Sequence, residues 1–217
     1  MTKIVSASQD DLFPPPQLSP KAQIVLNAAK KIFLAYGFSA ATTDMIQQEA
    51  GVSKSTVYAH FANKEALFSA VVQSECASSS NSLKSIQFMP GKVKQMLSEI
   101  ATAYLDIVLS KSGVALSRIV IAEALRFPQL GEIFYNAGPR ACIALATQLL
   151  KLAQANNDIN LRGNSPEEAA RFFVASVRSE PQLLTLTHST KTISKGQRQA
   201  WIAMVVDNFT EAYRPDK

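Results

Sequence analysis

The chain has 217 residues, of which 47% are hydrophobic and 18% charged, and its formal net charge is +5. This length can bury a substantial core in one large or two small domains, and two domains fit the pattern better. The charge permits a polyanionic partner without identifying one, because basic soluble proteins are common. No apolar run of about 18 residues is present, and the first residues lack the apolar core of a signal peptide. We therefore expect a cytoplasmic protein that does not cross a membrane.

Residues 1–18 precede the first predicted helix. They contain three consecutive prolines at positions 14–16 among mixed polar residues, which predicts a flexible arm. Ser19 and Pro20 then suit the N-cap and first position of a helix, and apolar residues recur at helical spacing from Ile24 to Phe33. This helix should end at Gly37 and support the helices that follow.

Two short helices joined by a glycine turn come next. A helix of about two turns is expected over 44–50, after two threonines that can cap it. Gly51 stands where the chain must leave that helix in a left-handed conformation. Ser53 can cap a second helix that runs through His60, with Val57 and Phe61 on its apolar side. The pattern predicts helix, turn, helix.

The second of these helices has a polar side. With Val57 and Phe61 facing a core, the remaining side chains point outward or sideways, and they can hydrogen-bond phosphates or base edges: Lys54, Ser55, Thr56, Tyr58 and His60. Asn63 can cap the next helix, where Lys64 would join a cation to backbone N–H groups in a phosphate clamp. Short capped helices also occur in proteins that bind no DNA, so the local pattern alone leaves a structural explanation open.

The rest of the chain reads as a helical bundle. The helix from Lys64 should continue to about Glu75 and link two domains. Beyond Pro90 the apolar spacing stays helical and glycines are few, which predicts helices near 91–110, 113–126, 129–135, 138–156, 166–186 and 195–213.

Candidate ligand-pocket residues are mostly aromatic side chains of this bundle, with Glu123 as a polar anchor. The predicted set is Phe88, Met96, Tyr104, Glu123, Phe127, Phe134, Phe172 and Phe173. Two plainer interpretations remain open. Aromatic residues at helical spacing also form ordinary cores, and Glu123 could simply pair with Arg126 or with a neighbouring helix.

The last helix is apolar nearly all round, so one of its faces needs a partner outside the core of one protomer. We predict a homodimer interface there, together with 166–180. Its candidate residues are Trp201, Ile202, Val205 and Phe209.

Neither cysteine belongs to a CxxC motif or a His/Cys cluster, so buried reduced thiols are expected for Cys76 and Cys142. The sequence contains no recognisable nucleotide loop, nucleophile elbow or catalytic triad motif. We expect no metal, no cofactor and no enzymatic activity.

The chain resembles the TetR/AcrR family of transcriptional regulators over about residues 20 to 70. The resemblance lies in Gly37-Phe38, the threonine pair, residues 50–54, 56–58 and 60–61, and 64–68. A shorter likeness, over 123–134 and 138–140, is to the AefR-like C-terminal domain. By this resemblance the residues that touch DNA are Thr43, Lys54, Ser55, Thr56, Tyr58, His60 and Lys64. Ser55 and Gln47 depart from a frequent glycine and alanine, which leaves the operator sequence open.

The resemblance implies an all-α protein: a flexible arm over 1–18, a three-helix DNA-binding domain with a helix-turn-helix over 19–66, and a helical ligand-binding and dimerisation domain over 67–217. It implies a homodimeric, ligand-responsive regulator of transcription, a repressor released from a pseudo-palindromic operator in double-stranded DNA by a small-molecule effector. An all-α carrier or enzyme without a DNA function, and an architectural DNA binder, are the alternatives.

Overall fold

Helices make up all the regular secondary structure in the part of the chain that the computed structural model describes, which is residues 17–79, 81–188 and 192–216. In chain order they are α1 Pro20–Ala40, α2 Thr43–Ala50, α3 Lys54–His60, α4 Lys64–Ser79, α5 Asn81–Lys84, α6 Val93–Val108, α7 Lys111–Glu123, α8 Pro128–Ala137, α9 Pro139–Ala155, α10 Pro166–Thr187 and α11 Lys195–Ala212. The all-α prediction is confirmed. The arm predicted over 1–18 lies almost entirely outside the described residues, and no described helix is long and apolar enough to span a membrane.

Several helices begin where a side chain accepts a hydrogen bond from an otherwise unpaired N–H group of the first turn. Ser19 accepts from the N–H of Ala22 at 3.2 Å, and Pro20 fills the first position of α1. Ser165 and Ser194 start α10 and α11, each in a reciprocal capping box with the third residue of its helix. Gly37 has φ 78° and ψ −179°, so α1 kinks where the sequence predicts an end and resumes as far as Ala40.

The helices form two compact units. The N-terminal unit contains residues 17–78 and 111–138, and the C-terminal unit contains residues 79–110 and 139–216. Phe33, Phe38 and Phe68 lie at the centre of the first core, with ring centroids 5.2 to 5.9 Å apart. The second core is built around α6, α9, α10 and α11 and includes Phe173 and Phe209, whose ring centroids are 5.1 Å apart.

The division between the units differs from the predicted boundary between 66 and 67. Residues 67–78 and the α7–α8 segment pack with the N-terminal helices instead of the later bundle. On α7 the buried apolar side chains are Leu116, Ile119 and Val120, and they join the core that contains α1. Helical periodicity predicts that such a face is buried, but it does not say which helix covers it.

Both cysteines are free thiols, and they lie in different units. Burial raises the pKa of Cys142 to about 12 and that of the partly buried Cys76 to about 11. Since the thiolate is the reactive form, both side chains act as small apolar groups in this fold.

Candidate nucleic-acid interface

The helices α2 and α3 meet through a turn with the predicted chemistry. Thr42 accepts a hydrogen bond from the N–H of Met45 at 3.1 Å, and Ser53 accepts one from the N–H of Thr56 at 3.2 Å. Gly51 is left-handed, with φ 65°, and its N–H donates to the carbonyls that end α2. Ile46 and Val57 are buried in the same core, so the two helices are held by one apolar contact surface.

The structure places all seven predicted DNA-contact residues on or beside these helices. Lys54, Ser55, Tyr58 and His60 are exposed, while Thr43, Thr56 and Lys64 are half-buried. The hydroxyls of Thr43 and Tyr58 lie 3.3 Å apart and link the start of α2 to α3. Ser53 lies 2.8 Å from the hydroxyls of both Ser55 and Thr56, which orders the first turn of α3.

Lys54 is engaged in an ion pair. Its Nζ lies 2.9 Å from Oδ1 of Asp44, and the two side chains are 51% and 63% exposed. The hydrogen bond to Asp44 and the charge of that carboxylate raise the pKa of Lys54. The ion pair joins α2 to α3 across the glycine turn, and the sequence analysis did not predict it because the turn brings the two side chains together.

Lys64 lies at the start of α4, where Asn63 caps the helix by accepting from the N–H of Ala66 at 2.7 Å. The Lys64 ammonium donates to the carbonyls of Ala41 at 3.1 Å and Ser39 at 3.4 Å. It also lies 4.5 Å from the ring centroid of Phe38. This cation therefore stabilises the corner between α1 and α2, a role that the sequence did not reveal.

The eight predicted pocket residues do not lie within one unit. Those in the C-terminal unit are Phe88, Met96, Tyr104, Phe172 and Phe173; those in the N-terminal unit are Glu123, Phe127 and Phe134. Met96, Tyr104 and Phe173 are packed core residues, whereas Phe172 is 60% exposed. The three buried residues belong to the core of the C-terminal unit.

Glu123 has a neighbouring-helix partner. Its carboxylate accepts hydrogen bonds from the backbone N–H and the hydroxyl of Ser39, at 2.8 and 2.6 Å. The hydroxyl of Ser39 is the largest cause of the lowered pKa of Glu123. Burial, the second-largest influence, acts to raise this pKa, whereas the Ser39 N–H and the charges of Arg126 and Lys64 lower it further. These hydrogen bonds join the polar end of α7 to the end of α1.

Three of the four residues predicted to form the dimer interface are buried inside the protomer instead. Ile202, Val205 and Phe209 are 6%, 8% and 2% exposed because they pack into the protomer's own core. Trp201 is partly buried and donates its indole N–H to the carbonyl of Val177 at 2.9 Å. Three large apolar side chains of α10 and α11 are exposed: Phe172 at 60%, Leu183 at 63% and Met204 at 46%.

A groove of about 360 Å³ runs between α10 and α11. Its lining includes Phe172, Trp201, Met204, Val205 and Phe209. The groove therefore adjoins two of the exposed apolar side chains of the C-terminal unit, Phe172 and Met204.

This geometry defines a helix-turn-helix protein with a second, helical unit. Residues 25–71 match the family model described as bacterial regulatory proteins, tetR family. Residues 95–215 match the model of the AefR-like transcriptional repressor, C-terminal domain, which covers more than half of the chain. The chain belongs to the TetR family of transcriptional regulators.

Individual relatives of the chain are also described as regulators or repressors. The chain is similar to the structure of the Flavonoid-responsive Regulator FrrA, with 34% identity, a TM-score of 0.79, and coverage of 91% of this chain and 98% of that one. It is 28% identical over 124 residues to the HTH-type transcriptional regulator UidR of Escherichia coli K12, covering 55% of this chain and 60% of UidR. It is 24% identical over 158 residues to the HTH-type transcriptional repressor Rv1474c of Mycobacterium tuberculosis H37Rv, covering 72% of this chain and 78% of the repressor. The match thus spans about three fifths of the length of UidR.

Proposed function

We propose that this protein is a repressor that binds a pseudo-palindromic operator as a homodimer and is released by a small molecule. The observation that carries the proposal is the exposed polar side of α3, held by capped helices and a left-handed glycine turn. Phosphate contacts would come from Lys54, Tyr58 and Lys64, and base contacts from Ser55 and Thr56. A regulator with this role works in the cytoplasm, where its DNA is.

Operator selection tests the DNA-binding part of the proposal. Genomic fragments retained by the purified protein should enrich one pseudo-palindrome with half-sites about 34–36 Å apart, the separation at which two recognition helices enter successive major grooves. An architectural binder would retain fragments without a common sequence. That outcome, or no retention, would contradict the proposal.

The individual contacts are tested by salt dependence. Removing one phosphate contact lowers the slope of log affinity against log salt by about one. Lys54→Ala and Lys64→Ala should each do so, while Ser55→Ala should change sequence preference and leave the slope unaltered. An unchanged slope in Lys64→Ala would limit that residue to its contact with the corner between α1 and α2.

A homodimer is supported by the apolar groove between α10 and α11 and the exposed Phe172 and Met204 beside it. A second copy of the same surface would cover these side chains in a self-complementary, two-fold contact. The dimer is also what a two-half-site operator requires, because a single protomer presents one α3.

The class of effector is proposed from the name of one similar regulator. FrrA, to which 91% of this chain aligns, is named as flavonoid-responsive, so flavonoids are the first compounds to screen by thermal shift. For a hundredfold release from the operator, the effector must favour the non-binding conformation by roughly 2.7 kcal/mol, and DNA must weaken effector binding by the same factor. Titration of the effector with and without operator measures both. Equal affinities would show a constitutive DNA binder.

A further inference from the structure

The turn between α7 and α8 contacts the end of α1 through one polar and one aromatic contact. Glu123, the last residue of α7, accepts both hydrogen bonds of Ser39, which lies 84 positions earlier in the chain. Four residues after Glu123, the ring of Phe127 packs edge-on against Phe38, with centroids 4.9 Å apart. The N–H of Phe127 donates to the Glu123 carbonyl at 2.8 Å, so a backbone hydrogen bond joins the two contacting residues.

Ser39 stands just before the helix-turn-helix. Gly37 takes the backbone out of helical geometry, and Ser39 lies in the short segment between that kink and Thr42, the N-cap of α2. Thr43 follows Thr42 as the first residue of α2, and its hydroxyl lies 3.3 Å from the hydroxyl of Tyr58 on α3. Ser39 is therefore connected to the start of α2 by three residues of chain and, through the Thr43 hydroxyl, to Tyr58 of α3.

The same corner is stabilised from α4. Lys64 donates to the carbonyls of Ser39 and Ala41, while Glu123 accepts from the N–H and hydroxyl of Ser39. The N–H and hydroxyl of Ser39 are thus held by Glu123, and its carbonyl is held by Lys64. Hydrogen bonds with an ionised partner are stronger and more directional than neutral ones, which suits a contact that sets position.

We propose that Glu123 is a positioning residue for DNA binding, which fixes Ser39 and hence the placement of α2 and α3. The inference rests on the proposed function and names a residue outside α2 and α3 on which the same DNA site depends.

A double-mutant cycle tests the contact. Glu123→Ala, Ser39→Ala and the double variant are compared for affinity to the selected operator, with Glu132→Ala as control, because Glu132 is an exposed glutamate on α8. Each single variant should weaken binding roughly threefold to tenfold, and the double variant should be no weaker than the worse single one, since both remove one interaction. Ser39→Thr, which keeps the hydroxyl, should restore most of the affinity.

Two further readouts separate positioning from general stability. Amide hydrogen exchange at residues 39–46 of the DNA-free protein should accelerate in Glu123→Ala but not in Glu132→Ala. A purely structural role predicts instead a lower thermal midpoint with unchanged operator affinity of the folded protein, and that result would overturn the proposal. If the wild type selects no DNA, the proposed function fails, and unchanged exchange at 39–46 would then overturn the positioning role as well.

Discussion

At the scale of single residues, the positive charge of the proposed DNA-reading surface is partly neutralised by the protein itself. Lys54, the cation of α3, is paired with Asp44 of α2 at 2.9 Å. A phosphate that approaches Lys54 must displace this carboxylate, and the carboxylate also repels the DNA backbone. Asp44 should therefore limit affinity for DNA of any sequence.

We predict that Asp44→Asn binds DNA about twofold to fivefold more tightly at low salt, the range expected for loss of an exposed ion pair, and that the gain shrinks as salt rises. Fluorescence anisotropy at several salt concentrations measures it. Glu49→Gln is the matched control, because Glu49 lies on the same helix but pairs with Lys31 of α1 at 2.8 Å. If both variants gain equally, Asp44 acts only through net charge.

The Glu123 carboxylate predicts a pH dependence. Because its pKa in the folded protein is lowered, chiefly by the Ser39 hydroxyl, its stabilising effect is complete above the unfolded-state value and is lost as pH falls through the folded-state value. Wild type should thus be more stable than Glu123→Ala at pH 6 to 7, and the gap should close below about pH 4.3. Urea unfolding at each pH measures it; a gap that widens with acid would contradict the assignment.

At the scale of elements, the turn between α2 and α3 depends on backbone conformation and not on space. A Cβ at Gly51 would meet no atom within 4 Å, yet its φ of 65° is unfavourable for a residue with a side chain. Gly131, inside α8, has the same open surroundings without a positive φ. The two glycines form a natural pair for separating these effects.

Gly51→Ala should lower the free energy of unfolding by roughly 1 kcal/mol, whereas Gly131→Ala should raise it by about 0.5–1 kcal/mol, because alanine is the better residue in a helix interior. Thermal or urea unfolding at one protein concentration measures both, since dimerisation makes the midpoint depend on concentration. Changes of the same sign in the two variants would show that the turn is not held by its left-handed glycine.

At the scale of the whole molecule, the proposed dimer depends on a surface that one protomer leaves uncovered. Met204 and Met89 are both in the C-terminal unit and almost equally exposed, at 46% and 50%, but only Met204 lines the groove between α10 and α11. Burying an unpaired charge in an apolar interface is strongly unfavourable, whereas the same charge on a solvated surface is tolerated.

We therefore expect Met204→Glu to be a folded monomer with much weaker operator binding, and Met89→Glu to remain a dimer. Sedimentation velocity at micromolar concentration distinguishes them, and circular dichroism checks the fold. A wild-type monomer with full operator affinity would contradict the proposed assembly, because both half-sites require a linked pair of α3 helices.

The starts of several helices, the glycine turn and the exposed side of α3 were largely predictable from the sequence. Ser19, Thr42, Ser53 and Asn63 cap helices as expected, and Gly51 adopts the left-handed turn, because capping and φ preferences act within a few residues of one another. The exposed side of α3 follows in the same way, since Val57 and Phe61 occupy its buried side.

What only the tertiary structure decided is which surfaces meet. The apolar spacing of α11 indicates burial, but the packing of α6, α9 and α10 determines that Ile202, Val205 and Phe209 are core and leaves Met204 outside. The partner of Glu123 is 84 positions away, and the α7–α8 segment packs with helices that precede it by a similar distance. Local periodicity determines that a face is covered; the partner depends on long-range packing, which no short stretch of sequence encodes.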